Sequence, residues 1–279
     1  LEGCIKIFKE SNEIELNEGE VFELFSLSQI HKDKNITFEN IVYSIVDGGN
    51  DGGIDSIMVF IDDEFIESID EVEQYTFSNK TNTKFIITQC KKENSFKENP
   101  IDKLITTIPI LLDLEKNETA LLSRFNSDVV SHTLILIEAW KKTAISGGCI
   151  SLEYIYVANA VEVQVNQVFI QKVDQLIDIT TRVLSTKNIH FSAFSSKELL
   201  ELYQKQKSNR LSIEFKDRPL TTEFNNNGIG YIGTVKLAKF KEFLKSDCGE
   251  IRDDLFESNI RYFQGLVDVN KKITNTVEI

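Results

Sequence analysis

Two apolar runs, "SIMVFI" at residues 56–61 and "KFIITQC" at 84–90, constrain the fold more than any other feature. Neither alternates apolar with polar residues, so neither has a face suited to water. Both must be buried on two sides, as happens inside a sheet covered by helices. The segments around them set the order of elements. "NEGEVFELFSLSQI" places Val21, Leu24, Phe25 and Leu27 at helical spacing, with Asn17 as cap and Glu20 as its capping-box partner. "FENIVYSIV" reads as a strand, and Gly48, Gly49, Gly52 and Gly53 supply a backbone able to turn tightly from it into "SIMVFI". "NPIDKLITTI" predicts a helix capped by Asn99, with Pro100 in its first turn and Pro109 kinking or ending it. Residues 18 to 115 are therefore expected to form a helix, three strands and a second helix.

The alternation continues. "DVVSHTLILIEAWKKTA" predicts a helix stopping before Gly147 and Gly148, and "CISLEYIYVANA" a strand. A long helical stretch from about Val163 to Leu184, the strand "NIHFSAF" and the helix "SSKELLELYQKQ" follow. The expected architecture is α/β, a mixed sheet flanked by helices, followed by a smaller α+β segment. The boundary falls where "KQKSNR" breaks the apolar rhythm, giving residues 1–206 and 207–279. Beyond it, "LSIEF" and "GYIGTVKL" read as strands and "AKFKEFLKS" as a helix.

Composition narrows the chemistry. Cys4, Cys90, Cys149 and Cys248 form no CxxC pair, and His31, His132 and His190 are widely separated, so neither a disulfide frame nor a zinc site is supported. No 18-residue apolar stretch occurs and no secretion signal opens the chain, so a soluble, cytoplasmic protein without membrane contact is expected. The first residue is Leu1 and the last segment, "VNKKITNTVEI", reads as an unfinished helix, which suggests a piece of a longer protein. A formal charge of -13 argues against a generally basic nucleic-acid coat but leaves room for a local groove. "DGGNDGGID" lacks the GxGxxG order and leads into a strand, so the glycines do not mark a nucleotide site.

Residues i and i+2 of a strand share a face, so Gln89 and Lys91 point the same way at the end of theirs. Asp55 stands where the glycine turn enters the neighbouring run. If the two strands pair, a carboxylate, an amide and an ammonium converge at one edge of the sheet, a reasonable place for a divalent metal and a phosphate. Each residue also has a plainer role open to it. Asp55 can end a turn, Gln89 can satisfy backbone groups, and Lys91 and Lys92 can mark the solvent end of a strand. Asp51 is expected to shape the loop, and Lys84 or Lys92 to add positive potential at the mouth.

"DGGID" followed by "QCK" resembles the PD-(D/E)xK nuclease superfamily in its glutamine-containing variant, most closely the restriction-endonuclease-like part of the abortive-infection phage-resistance family. The distal "ESNIRYFQGLVDVNKKITNT" resembles another segment of that family, including Asn259, Arg261, Tyr262, Phe263 and Gly265. The resemblance implies a restriction-endonuclease-like core in which Asp55 and Gln89 hold Mg2+, or Mn2+ in its place, and Lys91 orients or activates water. "EVFEL" is similar to the family helix that adds an acidic group, which implies a role for Glu23, although Glu20 is its neighbour on the helix. A metal-dependent nuclease acting on DNA in preference to RNA, in defence against phage, is the activity implied. Because glutamine brings no charge, a catalytically inactive nuclease-like binding module is the alternative.

Overall fold

A computed structural model of the chain describes residues 1–204 apart from 13, 35 and 47, and beyond them 213, 215–224 and 228–244. It divides into two compact units, residues 1–208 and 209–279.

The first unit opens with helices α1 (Glu2–Ser11), α2 (Glu18–Ile30) and α3 (Phe38–Ser44). Strand β1 (Ser56–Ile61), the short β2 (Glu64–Phe65), helix α4 (Ile69–Gln74) and strand β3 (Asn82–Lys91) follow. Helices α5 (Asn99–Leu111), α6 (Glu118–Leu122) and α7 (Ser127–Ser146) lead to β4 (Cys149–Ala158), α8 (Gln167–Leu184), β5 (Ile189–Phe194) and α9 (Ser196–Gln204). The strands form one mixed sheet in the order β2-β1-β3-β4-β5. β1 runs antiparallel to β2 and β3, whereas β3, β4 and β5 run parallel.

All six residues of β1 are buried, as an interior strand requires. Odd-numbered residues of β1 and β3, among them Ile57, Val59, Phe85 and Ile87, pack with Leu104 and Ile108 of α5, Leu136 of α7 and Leu176 of α8. Even-numbered Met58, Phe60 and Ile86 pack on the other face with Phe22, Phe25 and Leu27 of α2, Ile41 of α3 and Leu199 of α9. The strand period of two thus feeds two separate cores.

The segment "FENIVYSIV" corrects the sequence-based expectation. It forms α3, and only Ile45 touches the sheet, through an isolated bridge to Ser56. Thr37 and Asn40 form a reciprocal capping box, and this local start outweighs the β-branched composition. Of the three expected strands two form, β1 and β3, and the two-residue β2 is an addition the sequence did not predict. The N-cap of α5 is Glu98 rather than Asn99, and the helix continues two residues past Pro109. The Asn17–Glu20 capping box of α2 and the left-handed Gly147 cap of α7 are as expected.

In the second unit β6 (Leu220–Phe224) and β7 (Gly228–Ile232) form an antiparallel pair, followed by α10 (Leu237–Phe243). The "LSIEF" strand and the distal family-like segment lie wholly or mainly outside the described residues. Among the described residues, no helix is long and apolar enough to cross a membrane.

Candidate active site

The glycine turn delivers Asp55 into the sheet. Gly52 and Gly53 adopt positive φ, at 67° and 82°, where a side chain is disfavoured. The Asp51 carboxylate accepts a hydrogen bond from Gly53 N at 2.6 Å, and its carbonyl accepts one from Ile54 N, so Asp51 shapes the loop as expected. Asp55 is then fixed through its backbone. Its N–H donates to the Thr88 carbonyl at 3.0 Å, and its carbonyl accepts from Val46 N at 2.9 Å.

Ser56 pairs with Thr88, so Asp55, one step further along the antiparallel ladder, lies opposite Gln89. Cross-strand partners share a face, which places Asp55, Gln89 and Lys91 on the side covered by α5 and α8. Lys91 Nζ lies 3.3 Å and 3.5 Å from the two Asp55 carboxylate oxygens, and Asp55 Oδ2 accepts from Cys90 N at 2.6 Å. Asp55 is 2% exposed, whereas a third of the Lys91 side chain reaches solvent. Burial disfavours the charged ammonium, but the Asp55 carboxylate, helped by Asp51, outweighs that cost and raises the Lys91 pKa above its ordinary value.

Gln89 is also 2% exposed, and its Nε2 has no hydrogen-bond partner among the described residues. In the parallel ladder it sits beside Tyr156 of β4, whose hydroxyl accepts from Lys97 N at 3.3 Å. Burial raises the Tyr156 pKa, and the nearby acidic groups Glu93, Glu98 and Asp55 add to the effect.

Glu23 is buried on α2, the helix that packs on the opposite face of the sheet. Lys92, just past β3, pairs with Glu18 in the first turn of α2, so the start of that helix lies at the same end of β3 as Asp55. Glu20 is committed to the Asn17 backbone N–H at 2.9 Å.

The expected contribution of Lys84 to the mouth is corrected. Lys84 and Lys91 are seven strand steps apart, about 23 Å. Lys84 instead binds Glu153 at 2.8 Å near the far end of β3. A cation the sequence did not single out stands closer. A Cβ built on Gly53 would lie 2.9 Å from Lys103 Cβ and 3.3 Å from Gln89 Nε2, so the Lys103 stem lies across Gly53 beside Gln89. Helical phase marks Lys103 only as an exposed residue of α5; its place beside the turn is a tertiary fact.

Among the described residues, no three His, Cys, Asp or Glu side chains gather as a metal-binding group. The oxygen ligands available from the motif are the Asp55 carboxylate and the Gln89 amide oxygen. The Gln89 atom without a partner among the described residues is the Nε2 donor, so only the amide oxygen could serve a hard cation such as Mg2+, which retains several waters and takes phosphate oxygens as further ligands. Comparison with protein-family models, curated proteins and solved structures found no match.

Proposed function

We propose that the chain carries a restriction-endonuclease-like, metal-dependent nuclease centre that hydrolyses phosphodiester bonds, in DNA rather than RNA. One observation carries the reading: Asp55, Gln89 and Lys91, separated in sequence, converge on one face at one end of the β1–β3 ladder. The mixed sheet with helices on both faces supports it. Membership of the abortive-infection phage-resistance family, and a role in phage defence, rest on the resemblance of "DGGID", "QCK" and the distal segment.

Each residue has a distinct task. Asp55 supplies the negative charge that anchors Mg2+ or Mn2+, and Gln89 supplies an amide oxygen without adding charge. Lys91 exchanges its Asp55 contact for a phosphate oxygen and places its ammonium where negative charge develops. The bound ion would polarise the phosphoryl group and lower the pKa of its water. Glu23 is proposed as the auxiliary acid on the resemblance of "EVFEL" alone, since α2 covers the face of the sheet opposite Asp55.

A second reading, an inactive nuclease-like binding module, is favoured by the Asp55–Lys91 ion pair, which is satisfactory as a purely structural contact. A nuclease assay separates the two. With Mn2+ or Mg2+, the protein should nick plasmid DNA, and EDTA, Asp55→Asn and Lys91→Ala should each abolish nicking. Undiminished cleavage by a folded Asp55→Asn protein would overturn the assignment.

A further inference from the structure

Lys91 and Lys92 are consecutive and therefore leave the end of β3 towards opposite faces of the sheet. Each face offers further cations. On the Lys91 side stands Lys103, exposed on α5 and without an ion pair among the described residues. On the Lys92 side lies a groove of about 390 Å³ between α1 and α2, lined by Lys6, Lys9, Lys92 and Asn159. The two sides meet at the strand end, since Asn159 N donates to the Lys91 carbonyl at 3.1 Å.

The partners of the groove lysines are weak. Lys6 lies 3.9 Å from Glu10 with both side chains exposed, Lys9 donates to the Leu16 carbonyl at 2.8 Å, and Lys92 meets an exposed Glu18. Solvent-exposed contacts of this kind contribute little, so a phosphate can displace them at small cost. Glu2 and Glu18 also line the groove, leaving three lysines against two glutamates. The aromatic ring on its floor, Phe22, is 2% exposed and offers no surface for stacking a base.

We propose that one nucleic-acid strand crosses the end of β3, gripped through its phosphates by Lys103 on one side and by Lys6, Lys9 and Lys92 on the other. The grip reads backbone and not bases. It rests on the nuclease reading in taking Lys91, midway along this path, as the contact to the reacting phosphate.

The test is binding of a fluorescein-labelled single-stranded DNA of about 12 nucleotides to the full chain in EDTA, between about 50 and 200 mM salt, where counterion release is readily resolved. Each lost phosphate contact lowers the slope of log K against log salt by about 0.7. The triple variant Lys6→Gln, Lys9→Gln, Lys103→Gln should therefore lose roughly 2 units of slope, and Lys103→Gln alone about 0.7, with unchanged thermal midpoints. Unchanged slope and affinity in both variants, or no binding by the wild type at the lowest salt, would overturn the proposal. Cleavage with Mn2+ is measured in parallel. A wild type that cleaves with an affinity indifferent to these lysines sinks the track alone; one that binds through them and never cleaves sinks the nuclease reading alone.

Discussion

Asp55 carries two tasks that substitution can separate. Its carboxylate accepts from Cys90 N in a buried setting, so Asp55→Ala leaves a backbone donor without that acceptor and should cost about 1–3 kcal/mol of stability. Asp55→Asn keeps an acceptor oxygen for Cys90 N but loses the Lys91 ion pair, so it should be less destabilised than the alanine variant while losing metal-dependent cleavage. Asparagine and alanine variants of equal stability would mean that the Cys90 contact contributes nothing. His31 provides a second residue-scale test. It is 1% exposed, neither ring nitrogen has a hydrogen-bond partner among the described residues, and burial, reinforced by Lys34, lowers its pKa to about 3. The unfolded chain protonates His31 near its ordinary pKa of about 6.5. The unfolded state therefore binds more protons between the two values. The stability due to neutral His31 is present above about pH 6.5 and is lost as pH falls towards 3. Relative to His31→Leu, the wild type should lose thermal stability between pH 7 and pH 5; parallel melting curves for the two proteins across that range would contradict this.

At the scale of elements, the glycine turn and the sheet behave as one device. Gly53→Ala places a Cβ 2.9 Å from the Lys103 stem at a φ of 82°, so it should cost about 1–3 kcal/mol and also displace Gln89 and Lys103. Cleavage should fall further than the loss of folded protein accounts for, as checked by activity measured well below the melting transition. β1 and β3 were legible in the sequence because an unbroken apolar run has few places to go other than a sheet interior. Their pairing was only conditional, yet it carries Asp55 to Gln89 and Lys91. α3 was misread because Ile41, Val42, Ile45 and Val46 look strand-like, while the helix is set by Thr37 and Asn40, a box lacking the usual Glu or Gln. Lys103 was illegible for another reason. Nothing local distinguishes it from other helix-surface lysines, and only the close approach of Gly53 to α5 brings it to the site.

For the whole molecule, the net charge of -13 means that any phosphate-binding track is a local exception on a repulsive surface, which a composition-based reading cannot locate. The parallel pairing of β3 with β4, from Asn82 and Cys149 to Lys91 and Ala158, has a kinetic corollary. It joins segments separated by three helices, whereas β1 and β3 meet across a much shorter excursion. Closing the longer loop demands more chain entropy before its contacts form, and such non-local pairing is slow. We therefore expect the antiparallel pair to belong to the folding nucleus and β4 to dock late. Ile87→Val should mainly slow refolding, whereas Ile155→Val should mainly speed unfolding; the opposite pattern in stopped-flow kinetics would reject this order. Asp55 and Lys91 would then meet while Tyr156 is still absent, so a nascent chain acquires its charged pair before the wall that shelters it.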